Sequence, residues 1–191
     1  MVGIPGQILD PFLRVVRARS AENWTSFGAL LKERNFGNAI ALLRLEIDTF
    51  LRLVYLQSVD DVTASTLISD FLKGRRWKCR VKSKVRLVRD RDMVNLAKRE
   101  YFWVEIAYDF GCQLIHLSKI HDYETVDPFA MMAPQAKQTI IDFLREYHQY
   151  QGQDIDLPRF VAVVPKVMGK IRGKVRAYSS ALEQRGKSCR K

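Results

Sequence analysis

Apolar residues recur at helical spacing along most of the chain. They are densest over 39–56, where Leu42, Leu43, Leu45, Ile47, Phe50, Leu51, Leu53, Val54 and Leu56 cover most of a helical circumference. A helix over about 38–57 with so few polar positions belongs at the centre of a fold. Upstream, Asp10-Pro11 reads as a cap followed by proline at the first helical position, predicting a short helix to about Arg19. Ser20 reads as the cap of another, carrying Trp24, Phe27, Leu30 and Leu31 until Asn35 and Gly37 break it. Further helices are expected over about 62–73, 90–96, 102–118 and 134–148, with a second Asp-Pro start at Asp127-Pro128. The last has the cleanest pattern: Val161, Val164, Met168, Ile171, Val175, Tyr178 and Leu182 alternate steps of three and four. That seam docks on the body or on a second copy, which leaves a homodimer open.

One segment changes period. Over 76–87, Arg76, Lys78, Arg80, Lys82, Lys84 and Arg86 alternate strictly with Trp77, Cys79, Val81, Ser83, Val85 and Leu87. Period two predicts a strand or bent hairpin with its basic side chains on one face. The expected fold class is therefore mainly α: a helical bundle with a long C-terminal helix and a short basic extended segment around 76–87. A single domain is expected over 1–184, followed by a flexible basic tail at 185–191.

Composition sharpens this picture through the location of its charge. The formal net charge is +11, yet positions 73–91 alone hold ten Lys/Arg against one acidic residue, Asp90. The remainder is close to neutral. A polyanion is the expected partner of such a segment, with Arg75, Arg76, Trp77, Lys78, Arg80, Lys82, Lys84 and Arg86 as candidate nucleic-acid contacts. Trp77 either stacks on a base or packs as core, whereas Trp103, at helical spacing, reads as core. Arg44, Glu46, Asp48 and Arg52 interrupt the most apolar stretch, so no membrane span is expected. The start of the chain lacks a basic leader pattern, and Cys79, Cys112 and Cys189 form neither a disulfide framework nor a zinc pattern. A cytoplasmic location is the expectation that follows.

Candidate chemistry is sparse. Arg44, Asp48 and Arg52 fall at i, i+4 and i+8, one stripe on an otherwise apolar rod. The stripe is either a buried network that locks helix packing or the wall of a cleft in which Asp48 orients an arginine towards phosphate. His116, on a predicted helix, is either a hydrogen-bonded core residue or a general acid/base. His116, His121 and Asp122 lack the usual same-face spacing of metal ligands, so neither metal nor cofactor is expected. Phosphate-loop, nucleophile-elbow and His-Glu-x-x-His motifs do not occur.

The blocks NAIALLRLEIDTFLRLVYL from Asn38, RDMV from Arg91, FGCQLIHLS from Phe110, HDY from His121, DPF from Asp127, Tyr147-His148 and VPKV from Val164 resemble a bacterial family of helical proteins. The plan is more distantly similar to the HEPN superfamily of RNA- and nucleotide-associated bundles. That resemblance spans roughly 35–183 and implies a helical, often dimeric protein in defence or toxin–antitoxin systems that cleaves RNA without a metal. Such ribonucleases use an Arg followed by four to six residues and a His. Here the positions matching His116 hold Gly111, Phe110 and Asp109, a departure from the pattern. Arg44 or Arg52 would then have to supply the guanidinium, with His116, Asp48 and that arginine forming the catalytic set. Two readings stand: an RNA-directed protein, with metal-independent ribonuclease activity as its narrower form, and a non-catalytic binding or assembly module with a protein partner.

Overall fold

The computed structural model describes residues 3–81, 83–115, 122 and 125–187. Its axis is α2, Phe36–Ser58, the helix expected at the centre: Ala39, Ile47, Phe50, Leu51, Leu53 and Leu56 have no exposed surface. Around it pack α1 (Gly6–Lys32), α4 (Asp90–Ala97), α5 (Trp103–Ile115) and α7 (Leu157–Lys187), while α3 (Asp61–Leu72) lies on α1 and α6 (Pro134–His148) on α7. A hairpin of β1 (Lys78–Val81) and β2 (Lys84–Leu87) joins α3 to α4. The protein is mainly α-helical, as its periodicity predicts. Among the described residues no helix is long and apolar enough to cross a membrane.

Most helix ends follow local chemistry. Asp60 caps α3 by accepting the Thr63 N–H at 2.9 Å. Gly74, at φ +67°, ends it in a left-handed turn with Arg75 N–H on the Asp70 carbonyl. Asp127 has two tasks: one carboxylate oxygen caps the 3-10 turn Pro128–Met131 through Phe129 N–H, and the other accepts the first N–H of α7 at Leu157. The second Asp-Pro signal therefore starts a single 3-10 turn and also anchors the long C-terminal helix.

The N-terminal region corrects the expectation of two helices. α1 is continuous, with Pro11 inside it and Ser20 in its middle. Its start extends to Gly6 because Ile4, Leu9, Phe12 and Leu13 are each 2% exposed or less, and Leu9 and the Ile4 carbonyl close on Gly186 of α7. Ser20 caps nothing. It is buried and donates to Glu46 of α2, which also accepts from Asn23 at 2.9 Å. Glu46 is wholly enclosed, so these two donors supply the hydrogen bonds without which a buried carboxylate is costly.

The C-terminal seam docks on the body: Val164, Met168 and Leu182 have no exposed surface and Ile171 and Val175 almost none. Phe50 gathers the aromatic core, stacked at 6.0 Å on Trp103 and edge-on at 5.2 Å to Tyr101 and 5.6 Å to Tyr178. Trp103 is core, as expected. The tail expected to begin at 185 is instead helical to Lys187, because Arg185 donates to Asp61 and to the carbonyls of Leu56 and Val59. Three acceptors at the junction of α2 and α3 hold the end of α7 in place.

Candidate nucleic-acid interface

The basic hairpin forms as predicted, but its faces do not. The register pairs Lys78 with Leu87, Cys79 with Arg86 and Arg80 with Val85. Directly opposed residues share a face of a sheet. Every basic residue here has an even number, and every cross-strand pair joins an even position to an odd one. Lys78 and Arg80 therefore share one face with Val85 and Leu87, while Lys84 and Arg86 lie on the other. The turn inverts the alternation, and no two cations of this segment are opposed, which avoids like-charge repulsion. The single cationic face is a correction.

The two faces have different surroundings. On one, Cys79 lies near the Tyr55 hydroxyl of α2, and Arg86 makes a two-pronged bond to Asp92 of α4, at 2.5 and 3.1 Å. That bond, with the Arg89 N–H and nearby guanidinium, holds the Asp92 carboxyl below the usual carboxylate range. The other face leaves Lys78, Arg80, Val85 and Leu87 exposed. Lys82 lies outside the described residues.

At the base of the hairpin is a cleft of about 760 Å³. Its walls bring together Arg19 of α1, Arg52 of α2, Arg75 and Arg76 from the loop after α3, and Arg89 from the loop before α4. Asp90 is the one carboxylate among its lining residues. Arg19, Arg76 and Arg89 are exposed and make no ion pair with a described residue, and Arg75 reaches Asp70 only at 3.9 Å. Leu87 borders the cleft, so the Lys78–Arg80 face of the hairpin continues its surface. Five guanidiniums around one concavity raise the local potential for anions, and their planar donors suit phosphate.

Of its two alternatives Trp77 takes the packed one. It is 4% exposed, stacked at 6.0 Å on Tyr55, with the Arg52 guanidinium 5.4 Å from its ring centroid. With so little of the ring exposed, Trp77 floors the cleft and is not a free platform for a base. Its indole Nε1–H is buried with no acceptor among the described residues.

The central stripe divides. Arg44 is 3% exposed and Asp48 18%, their closest atoms 2.6 Å apart. The guanidinium also lies 3.5 Å from the Tyr108 ring centroid and its Nε donates to the Cys112 sulfur at 3.4 Å. Tyr108 stays a neutral phenol, its pKa pushed up to about 12 chiefly by burial. Gly111 makes room for all this: a Cβ there would come within 2.7 Å of Arg44 Cβ. Arg44 and Asp48 thus form the packing network of the first alternative. Arg52 turns away from them to the cleft, which they do not line. His116 and His121 lie outside the described residues. Among the described residues no cluster of His, Cys, Asp and Glu could hold a metal ion.

Sequence reasoning missed Arg19 and Arg89 as contributors. Arg89 lay within the basic segment and was legible there. Arg19, more than 50 residues upstream of Arg75, has no local signal and joins the cleft only through the packing of α1 on α2 and α3. In comparisons with family models, curated proteins and solved structures, the chain matches none.

Proposed function

We propose that this protein binds single-stranded RNA through the arginine cleft and the adjoining Lys78–Arg80 face of the hairpin. The observation that carries the reading is the convergence of five arginines from four separate segments on one concavity with a single carboxylate. A solvated charge run needs no such convergence. Phosphates would pair with the guanidiniums, while exposed Val85 and Leu87 offer apolar contact to bases or sugars. Affinity would come mainly from counterion release.

Catalysis is the narrower proposal. Arg44 is enclosed by Asp48, Tyr108 and Cys112, so a ribonuclease centre in this chain would draw its arginine from the cleft, with His116 as the acid/base. The reading of a non-catalytic module keeps the cleft and drops the cleavage.

Fluorescence polarisation with labelled single-stranded RNA in EDTA tests the interface. Arg19→Glu, Arg76→Glu and Arg89→Glu together should abolish binding with the helical circular dichroism retained. The same charge change at exposed Arg14, Lys32 and Arg159 should weaken it far less. Equal effects of the two sets would show that net charge, not the cleft, does the binding. Product analysis in the same samples, with His116→Ala beside wild type, tests cleavage: RNA left intact by wild type removes the ribonuclease proposal and leaves the binding one.

A further inference from the structure

We propose that a second cavity, walled by α5, α6 and α7, binds a small planar aromatic anion. It measures about 320 Å³ and shares no lining residue with the arginine cleft, within the usual size range of small-ligand pockets. Its walls are rings. Trp103 and Phe143 stand 5.8 Å apart and 26° from parallel, and Phe143 and Tyr147 5.7 Å apart at 27°. The wall is therefore largely aromatic, which suits a planar aromatic guest better than an aliphatic one.

The polar groups select for charge. Lys170 and Lys174 line the cavity, and neither has a carboxylate within 4 Å among the described residues. Lys170 spends one ammonium proton on the Tyr147 carbonyl, and Lys174 sits 4.6 Å over the Tyr101 ring. An ammonium has three donors, so both retain capacity for an anion. Glu100 is occupied by the Tyr101 hydroxyl and, at 3.4 Å, the Tyr178 hydroxyl.

A separate observation points to a ligand. His148 also lines the cavity, is 5% exposed, and its Nδ1 is buried with no hydrogen-bond partner. Phe143 packs on its ring edge-on at 5.1 Å. Buried polar atoms in folded proteins are nearly always satisfied, and no described side chain satisfies this one. A polar substituent on the guest ring would satisfy it once the imidazole turns towards the cavity. Burial and the nearby Lys170 and Lys166 lower the His148 pKa to about 4, so the imidazole is neutral at physiological pH and the two lysines carry the attraction for the anion.

The test uses the full chain with indole-3-carboxylate and phenyl phosphate, and with neutral indole-3-carboxamide as control. The readouts are calorimetry and the NMR shift of the Trp103 indole N–H. At least one acid should bind with a millimolar or lower Kd and move the Trp103 signal, the carboxamide should bind at least tenfold more weakly, and the tighter acid identifies the anion preferred. Lys174→Gln should weaken that acid about tenfold, the loss of one charge-assisted contact. His148→Phe, which keeps the ring packing, should weaken it several-fold. Equal binding of the carboxamide, or a Trp103 signal unmoved by either acid at millimolar concentration, would overturn the proposal.

Discussion

Arg44 illustrates how one side chain can be read as chemistry in sequence and serve as architecture in the fold. Its charge is enclosed at 3% exposure, and its closest compensation is Asp48. Removing one partner of a buried pair strands the other, so Asp48→Ala should destabilise the protein by about 3 kcal/mol in urea melts. A change below about 1 kcal/mol, the value of exposed pairs, would mean that solvent reaches the guanidinium. Gly111 supplies an independent check. Alanine is ordinarily better in a helix by about 1 kcal/mol, but here its Cβ would press on the Arg44 stem at 2.7 Å. Gly111→Ala should therefore destabilise by about 1–3 kcal/mol, the usual cost of overpacking. Stabilisation would show that Arg44 has room to move.

At the scale of elements, the end of α7 behaves as a clamp. Arg185 bonds Asp61, Leu56 and Val59, closing the end of α7 on the turn between α2 and α3. Arg185→Ala should cost about 2–3 kcal/mol, since a charged donor is lost and partly buried acceptors are left unpaired. Truncation after Gln184 should cost at least as much, and a melt unchanged by either would restore the loose tail that sequence predicts. The cleft makes a second prediction. Each phosphate contact to a single strand contributes about 0.7 to the slope of log K against log salt, so the milder replacement of Arg19, Arg76 and Arg89 by alanine, which leaves weak binding measurable at low salt, should flatten that slope by about 2. Helices were legible because a 3.6-residue period is local, and the hairpin because period two is too. What was not legible depended on partners far along the chain: the face of each basic residue follows from register parity across the turn, the burial of Trp77 from Tyr55 and Arg52 on α2, and the role of Ser20 from Glu46. Arg19 belongs to the cleft for the same kind of reason, since only helix packing brings it there.

Across the whole molecule, the arrangement of titratable groups sets how stability varies with pH. The folded state holds His148 neutral, its pKa lowered from 6.5 to about 4 by burial and by Lys170 and Lys166. In the unfolded chain the same imidazole takes up a proton near pH 6.5. Between these values the unfolded state binds more protons, so the contribution of His148 is fully present above pH 6.5 and is lost as pH falls towards 4. At about 1.4 kcal/mol per pH unit the loss approaches 3 kcal/mol. Carboxylates held below their ordinary values, such as Asp92 beside Arg86 and Asp154 beside Lys137, act in a lower window, as pH falls past about 4. The two causes are thereby separable. Urea melts at pH 7 and 4.5 should show a marked loss for the wild type and a much smaller one for His148→Phe, which retains the edge-on ring contact with Phe143 and has nothing to protonate. Identical losses in the two proteins would mean that His148 titrates normally in the folded state, and that solvent reaches its buried nitrogen.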